Sequence, residues 1–540
     1  MSEPAGATQR PRHDWRFLLP RSTLGGDVVV DGDADGTARR LLRASGLYAS
    51  VDRIEDAAPR PHAVVVRLHD AVGSIEGLDA YVGPDSVVVV EHRRSWTLSG
   101  VGRARRRWGQ RRQDRYLVAP AHGASRWYAP LSSGAPLRWY LRDRFRADSR
   151  ATALAIRTAG LLCRLGLVRV LGLAVRDRLV VSSGDTSVAA SGPSGLPAAV
   201  DAGSTMVLSS AQDAASRAVL APFGDRAASP AVVVKIAPRP QDNARSAAES
   251  VRLQAIVDAG IPGTCLPAVV VDDRLGELFR TTQTVIPGPV GDVVISRALA
   301  RDEVPTAFLD EVAEWCAGLA AARSGTWNLD ADGFGRLVVT PLVPVLREIG
   351  ADALATRFER LEADARRVEV GPAHFDLTPS NVVRATSGLV AVDWEPPLVS
   401  LDDSEVAPVG ADFVFFATYW AFQVAGCVTV DDEVAVGSAL LDAVFGRSGS
   451  ASANEPAARA AEAIRRHATA VGIDDDALPH VVALLWTQRL LARRRRVVLA
   501  DGVPDRDPDH DPDGGPDRDP AEQRLAVPLL ARCLDALEAR

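Results

Sequence analysis

Short β-branched runs bounded by Gly, Pro and Asp open the chain, at 28–30, 63–66 and 87–90. Their spacing suits β-α-β units in a mainly parallel sheet. Residues 174–205 are rich in Ser, Gly, Ala and Pro and predict an irregular entry to the next segment. Strand-like runs follow at 206–209, 217–222 and 231–237, and a helical pattern begins at 243 with Glu249, Leu253 and Ile256 at helical spacing. Further helices are predicted at 306–322, 353–364, 411–425, 431–446, 455–470, 477–499 and 521–538. Strands followed by helices in this order suggest an α+β domain with a small sheet lobe and a larger helical lobe. The most apolar stretch, 151–173, is interrupted by Arg157, Arg164 and Arg169. Three arginines argue against a membrane-spanning helix and for a buried or interface helix.

Composition adds bounds. A chain of 540 residues with 47% hydrophobic and 24% charged content reads as a multidomain globular protein. Five cysteines without a CxxC pair argue against a disulfide framework or structural zinc and fit a reducing, cytoplasmic setting. No signal peptide is visible at the N-terminus. Residues 1–150 hold 25 Arg against 17 acids, a net of +8, and the remainder balances to −15. That asymmetry suggests separate modules, either the basic N-terminal half docking on the acidic C-terminal half or the two meeting different partners.

Among 62 Lys plus Arg the chain contains one lysine, Lys235, at the end of the apolar run 231–236. A compact ammonium approaches a phosphate as a point charge, whereas a guanidinium is a wide planar fork. A lone lysine on a strand therefore points to a site that requires an ammonium, or to chance survival at a snorkelling position.

The most specific segment is 371–395, GPAHFDLTPSNVVRATSGLVAVDWE. It carries His374-x-Asp376, then Asn381, then Asp393-Trp394-Glu395. Residues 381–385 and 389–393 read as a hairpin over a three-residue turn, which would set Asn381 opposite Asp393. An amide oxygen and a carboxylate side by side suit Mg²⁺, a hard ion that keeps waters and phosphate oxygens. Asp376, just before the hairpin, can accept or orient a hydroxyl proton beside the metal.

This His-x-Asp-x-x-x-x-Asn…Asp-Trp-Glu pattern resembles the aminoglycoside phosphotransferase and choline kinase superfamily of the protein-kinase-like fold, over roughly 200–500. The resemblance implies a bilobal α+β kinase-like domain using ATP and Mg²⁺. It makes Asp376 the catalytic carboxylate, Asn381 and Asp393 the metal ligands, and His374 and Asp412 structural supports. It makes Lys235 the holder of the α- and β-phosphates, with Glu249 as its ion-pair partner. Residues 278–288 resemble the last small-lobe strand and the hinge, with Gln283, Thr284 and Ile286 at the adenine. The covering loop would be 209–215, with Ser210 at the phosphates and no glycine. Phe375 stands where relatives usually have glycine or arginine.

The first 10–148 residues resemble a degenerate Rossmann-type methyltransferase, a smaller α/β domain ahead of the kinase-like one. The resemblance rests on 14–20 (DWRFLLP), Gly25-Gly26 before the first strand, Asp52 after the second, and Gly83-Pro84-Asp85-Ser86 before 87–91. Residues 31–36 (DGDADG) replace the glycine-rich turn, so S-adenosylmethionine binding stays open. The domains then run 10–148, a connector at 149–205, a small lobe at 206–286, a large lobe at 287–500, a disordered Asp/Pro loop at 501–520, and a C-terminal helix at 521–540. Within that loop, 509–514 matches the opening of a calcium loop, but Pro520 occupies the twelfth position. The arginine cluster at 103–115 reads as a solvated face or docking patch, with nucleic acid disfavoured. Two functions remain: an ATP- and Mg²⁺-dependent phosphotransferase acting on a hydroxylated small molecule (aminoglycoside, sugar, choline-like alcohol or glycan precursor), or a catalytically weak nucleotide-binding regulatory or scaffold protein.

Overall fold

The computed structural model describes residues 13–34, 36–68, 75–93, 112–120, 126–147, 149–174, 177–183, 195–196, 204–209, 217–224, 227–258, 260, 266–361, 366–394, 397, 401, 406–447, 455–501 and 520–539. The chain divides into two units: Met1–Asp143, Arg150–Ser250 and Ala268–Val285 form the first, and Arg144–Ser149, Val251–Pro267 and Ile286–Arg540 the second.

The first unit is built on one mixed sheet. Its elements in chain order are β1 (Asp27–Asp31), α1 (Thr37–Ala44), β2 (Ser50–Arg53), β3 (His62–Arg67), β4 (Val82–Arg93), β5 (Arg112–Pro120), β6 (Arg126–Pro130), α2 (Ala135–Asp143), α3 (Arg150–Arg164), α4 (Val168–Ala174) and β7 (Asp177–Ser183). Then come β8 (Thr205–Ser209), β9 (Ala218–Pro222), β10 (Val232–Ile236), α5 (Asn243–Asp258, its first half in this unit), β11 (Val269–Leu275) and β12 (Leu278–Thr284). The twelve strands run in the order β11-β12-β10-β9-β8-β6-β5-β7-β4-β3-β1-β2.

The parallel pairing expected from the valine runs holds for β2-β1-β3-β4. From β4 to β11 every pairing is antiparallel. Sequence boundaries at 148 and 206 therefore do not interrupt the sheet. The 149–205 segment, expected to be helical and irregular, contributes β7, whose apolar Leu179 and Val181 are buried.

Alternation along the strands sets the core. Val28, Val30, Val64, Val66, Val87 and Val89 join a cluster that also takes Val234 and Ile236, whereas Val29, Val65 and Val88 face the opposite side. Each fully buried valine contributes about 1.5–3 kcal/mol relative to exposure. The DWRFLLP segment forms a 3-10 turn, Asp14–Leu18, that packs Trp15 and Phe17 into the larger cluster. Trp15 Nε1 donates to Glu91 Oε1 at 2.7 Å, satisfying the buried indole N–H. The 151–173 stretch is helical but not buried: of its side chains described, Cys163 and Val168 alone are buried.

The second unit is mostly helical. It contains α6 (Gly291–Leu299), α7 (Thr306–Ala320), β13 (Gly325–Leu329), α8 (Thr340–Glu348), α9 (Asp352–Arg360), β14 (Arg366–Pro372), β15 (Val382–Ala385), β16 (Gly388–Ala391) and β17 (Val406–Pro408). It ends with α10 (Ala411–Ala425), α11 (Val430–Val444), α12 (Glu455–Ala470), α13 (Leu478–Asp501) and α14 (Pro520–Glu538). Helix α10 is apolar nearly all round and buries Phe413, Phe415, Phe416 and Trp420, as a central helix must. Helix α11 starts on a capping box between Thr429 and Asp432. Of the acidic Asp/Pro loop expected at 501–520, Asp501 ends α13 and Pro520 opens α14, while 502–519, with the calcium-like 509–514 match, lie outside the described residues.

His467 on α12 is buried against Phe413, ring centroids 4.5 Å apart. Burial lowers its pKa from 6.5 to about 4. A depressed folded-state pKa means that this contribution is present above pH 6.5 and is lost as pH falls toward 4. The unfolded chain takes up the proton first over that window. The expected loss is about 3 kcal/mol by pH 4. His467→Gln should flatten the acid limb of a melting temperature-versus-pH curve between 6.5 and 4; an unchanged limb would remove His467 as its source.

Candidate functional site

In β10, Val234 and Ile236 enter the core, so alternation turns Lys235 to the other face. There its Nζ donates to Glu249 Oε1 at 2.7 Å. Glu249 on α5 is fully buried, and its second oxygen accepts from Arg217 Nη1, one residue before β9. Lys235 and Arg217 are only 7% and 6% exposed, so two desolvated cations share one carboxylate. Arg217 was not among the residues expected from the sequence.

The residues expected around a nucleotide base fall as follows. Gln283 is buried within β12 and its backbone pairs with Val233 and Val269. Thr284 next to it is tied to Ala268: its Oγ1 accepts from the Ala268 amide at 2.9 Å, and its own amide donates to Ala268 O at 2.9 Å. Ile286, in the second unit, packs on Val290, Val293 and Val383. Gly288 has φ 145°, and a Cβ there would lie 2.4 Å from the Arg384 carbonyl, so this turn requires glycine. Of the covering loop at 209–215, Ser209 ends β8, while Ser210 and the rest lie outside the described residues, as does Glu395.

The second constellation is the loop from His374 to Asn381 in the second unit. Asp412, in the first turn of α10, accepts from the His374 amide at 2.6 Å and the Phe375 amide at 3.0 Å. Burial raises the Asp412 carboxyl above its ordinary value, while His374 and those two amides pull it back toward ionisation. His374 is fully buried, packs tilted against Trp394 with ring centroids 4.7 Å apart, and reaches the Val392 carbonyl through Nε2 at 2.8 Å. Burial lowers its pKa, which favours a neutral imidazole donating from Nε2. Both residues thus hold the loop.

Phe375 sits at φ 67°, a left-handed conformation that costs a non-glycine residue roughly 1–2 kcal/mol. The two Asp412 bonds and the Arg252 guanidinium, 4.6 Å above the Phe375 ring, offset that strain. Arg252 also donates to the Ala373 carbonyl. This geometry accounts for the departure from glycine noted in the sequence.

Asp376 is held through both carboxylate oxygens. Oδ1 accepts from Arg489 Nη1 at 2.9 Å, and Oδ2 lies 3.4 Å from Asn381 Nδ2. Arg489, on α13, also donates to the Phe375 carbonyl at 3.1 Å and stacks over Phe415 at 4.3 Å. Sequence reasoning missed it, although it lies only four residues before a run of four arginines at 493–496.

Asn381 Nδ2 donates to the Asp376 carbonyl at 2.8 Å. That bond fixes the amide's orientation and leaves Oδ1 as the atom that can accept a cation. The hairpin register differs from expectation by one residue: Val383 pairs with Val390 and Ala385 with Gly388, across the two-residue turn Thr386-Ser387. Asn381 O consequently accepts from the Val392 amide, and Asp393 lies one residue past it at φ 68°. Gly388, at φ 118°, joins the strand, which shortens the turn. No cluster of three or more His, Cys, Asp or Glu suited to a metal occurs among the described residues. An amide oxygen and one carboxylate fit Mg²⁺ completed by phosphate and water better than an all-protein cage.

In the parallel strands, the acids expected at a methyl-donor site are engaged internally. Asp31 pairs with Arg67 at 2.8 Å, Asp33 caps α1 through the Ala38 and Arg39 amides, and Asp52 lies 3.6 Å from Arg43. Of the arginine cluster, residues 103–111 lie outside the described residues and 112–115 form part of β5.

No family model and no curated protein matches the chain. Among solved structures, the chain is similar to an aminoglycoside phosphotransferase from Streptomyces rimosus in complex with ADP and streptomycin, at 15% identity over 52% of this chain and 90% of that one, TM-score 0.29. The kinase domain of Mycobacterium tuberculosis PknI shows 14% identity over 51% and 98%, TM-score 0.22. WbdD shows 12% identity over 82% and 84%, TM-score 0.24.

Proposed function

We propose that the chain is an ATP- and Mg²⁺-dependent phosphotransferase acting on a hydroxyl of a small molecule. The observation that carries this reading is the His374–Asn381 loop, where a strained backbone locked by Asp412 sets a carboxylate and an oriented amide oxygen on one turn. Asp376 would orient the acceptor hydroxyl and take its proton. Asn381 Oδ1 and Asp393 would hold Mg²⁺, which neutralises phosphate charge when bound. Lys235, fixed by Glu249, would hold the α- and β-phosphates, and backbone groups around Gln283, Thr284 and Ile286 would meet the adenine. Catalysis of this kind is positioning and charge neutralisation without a covalent intermediate. The acceptor class is a sugar, aminoglycoside, choline-like alcohol or glycan precursor.

A second reading, a nucleotide-binding scaffold of weak activity, has the Arg489–Asp376 pair on its side, because the guanidinium occupies one of the two carboxylate oxygens an acceptor hydroxyl would use. ATP turnover against a panel of hydroxylated acceptors separates the two. Transfer to any of them supports the enzyme, and tight ATP binding without transfer supports the scaffold.

Lys235→Arg provides a sharper test of the phosphate assignment. A second guanidinium beside Arg217 cannot reproduce a compact ammonium on Glu249. The substitution should lower kcat/KM roughly 10–100-fold, a loss of about 1.4–2.7 kcal/mol of transition-state stabilisation. Unchanged kinetics would make the retained lysine an accident of composition.

A further inference from the structure

We propose that helices α3 and α4 form an interfacial anchor for an anionic lipid bilayer. Among the described residues the four exposed leucines are Leu154, Leu161, Leu165 and Leu167, and all lie in this helical pair or the turn that joins it. Their exposures are 65%, 55%, 63% and 43%, with Val170 adding 47%. Isolated exposed leucines are ordinary, but five large apolar side chains within 17 residues form a surface that water covers at a cost.

Helical geometry gathers them. Leu154 and Leu161 are seven residues apart on one stripe of α3, and Leu165, one residue past the helix end with its amide donating to the Leu161 carbonyl at 3.0 Å, continues that line. Arg157 and Arg164, again seven apart, run along its border, and both are exposed. The turn Leu165-Gly166-Leu167, with Gly166 at φ 72°, carries the apolar surface onto α4, where Arg169 and Val170 are exposed. The opposite side of α3 is anchored in its own unit. A Cβ on Gly134 would lie 2.6 Å from the Cys163 carbonyl, which shows how closely the backbones approach. The exposed stripe is therefore a fixed feature of this unit.

Charge decides the occupant. Residues 150–174 contain Arg150, Arg157, Arg164 and Arg169 and no Asp or Glu, in a chain carrying 69 acids over 540 residues. Leucines buried among acyl chains, with arginine stems snorkelling to phosphate headgroups, are the physical signature of a helix lying in a membrane interface. Pairing this face with the same face of a second copy would oppose arginines without any intervening carboxylate. No helix among the described residues is long and apolar enough to cross a membrane, so the association would be superficial.

The test is flotation of the full chain with vesicles of phosphatidylglycerol and phosphatidylcholine, against pure phosphatidylcholine. The protein should float with the anionic vesicles and remain below with neutral ones. Replacing Arg157, Arg164 and Arg169 together by Gln should weaken partitioning roughly a hundredfold, at about 1 kcal/mol per arginine. Leu154→Ser with Leu161→Ser and Leu165→Ser should weaken it at least about tenfold. Both variants should keep the wild-type melting temperature, because these side chains are exposed. Absence of flotation on anionic vesicles overturns the proposal, as does undiminished flotation of the serine variant. A wild-type dimer made monomeric by the serine changes, without vesicle binding, would give the face to a second copy and also overturn it.

Discussion

Asp376→Asn is expected to lower kcat by roughly a thousandfold, within the 10²–10⁴ range for loss of a positioned base. The substitution keeps the side chain's shape and the backbone carbonyl that receives Asn381 Nδ2. It replaces the carboxylate that meets Arg489 at 2.9 Å with a neutral amide. Binding of Mg²⁺ and ATP should therefore survive while transfer is lost, so kcat falls far more than the apparent nucleotide affinity. A coupled assay on whichever acceptor proves active reads this directly. Turnover within a fewfold of wild type would remove Asp376 from the reaction.

Glu249→Ala should destabilise the chain by about 3–5 kcal/mol, the usual result of removing one partner of a buried ion pair. Here one fully buried carboxylate serves both Lys235 and Arg217. Its loss leaves two nearly buried cations on the same side of the sheet without their shared counter-charge. The melting temperature should drop on the order of 10 °C. Arg217→Met combined with Glu249→Leu should recover part of that loss, since apolar replacement of a buried ionic group is often neutral or better. If Glu249→Ala melts like the wild type, the triad does not organise this part of the sheet.

Most helices from 306 onward were legible because long stretches of helical apolar spacing report their own position; α8, opened by Pro341 and interrupted by Pro344, gave no such signal. Lys235 and Glu249 were legible for a different reason: a single lysine among arginines stands out, and its partner sits on the next helix. Arg217, Arg252 and Arg489 carried no such signal. In a chain with 62 basic residues, nothing local distinguishes an arginine that locks a loop from one that faces water. Their roles arise from strands and helices distant in sequence, such as α13 reaching Asp376 across 113 positions.

The hairpin register was misjudged because Gly388 can end a strand or extend a turn, and only the backbone decides between them. The continuity of the sheet from β2 to β11 was invisible as well. Antiparallel pairing of β7 between β4 and β5 joins partners as distant as Val87 and Ser183 or Arg112 and Ser183, which composition cannot encode. Phe375 was flagged as a departure from the family pattern, and the structure explains it as strain held by Asp412 and Arg252.

The central claim is tested most directly by isothermal titration of ATP into the full-length protein with and without Mg²⁺, alongside Asp393→Ala. The account predicts saturable ATP binding that strengthens with Mg²⁺, and loss of that Mg²⁺ dependence in the variant. Absence of binding at millimolar ATP, or Mg²⁺ dependence that survives Asp393→Ala, would contradict it.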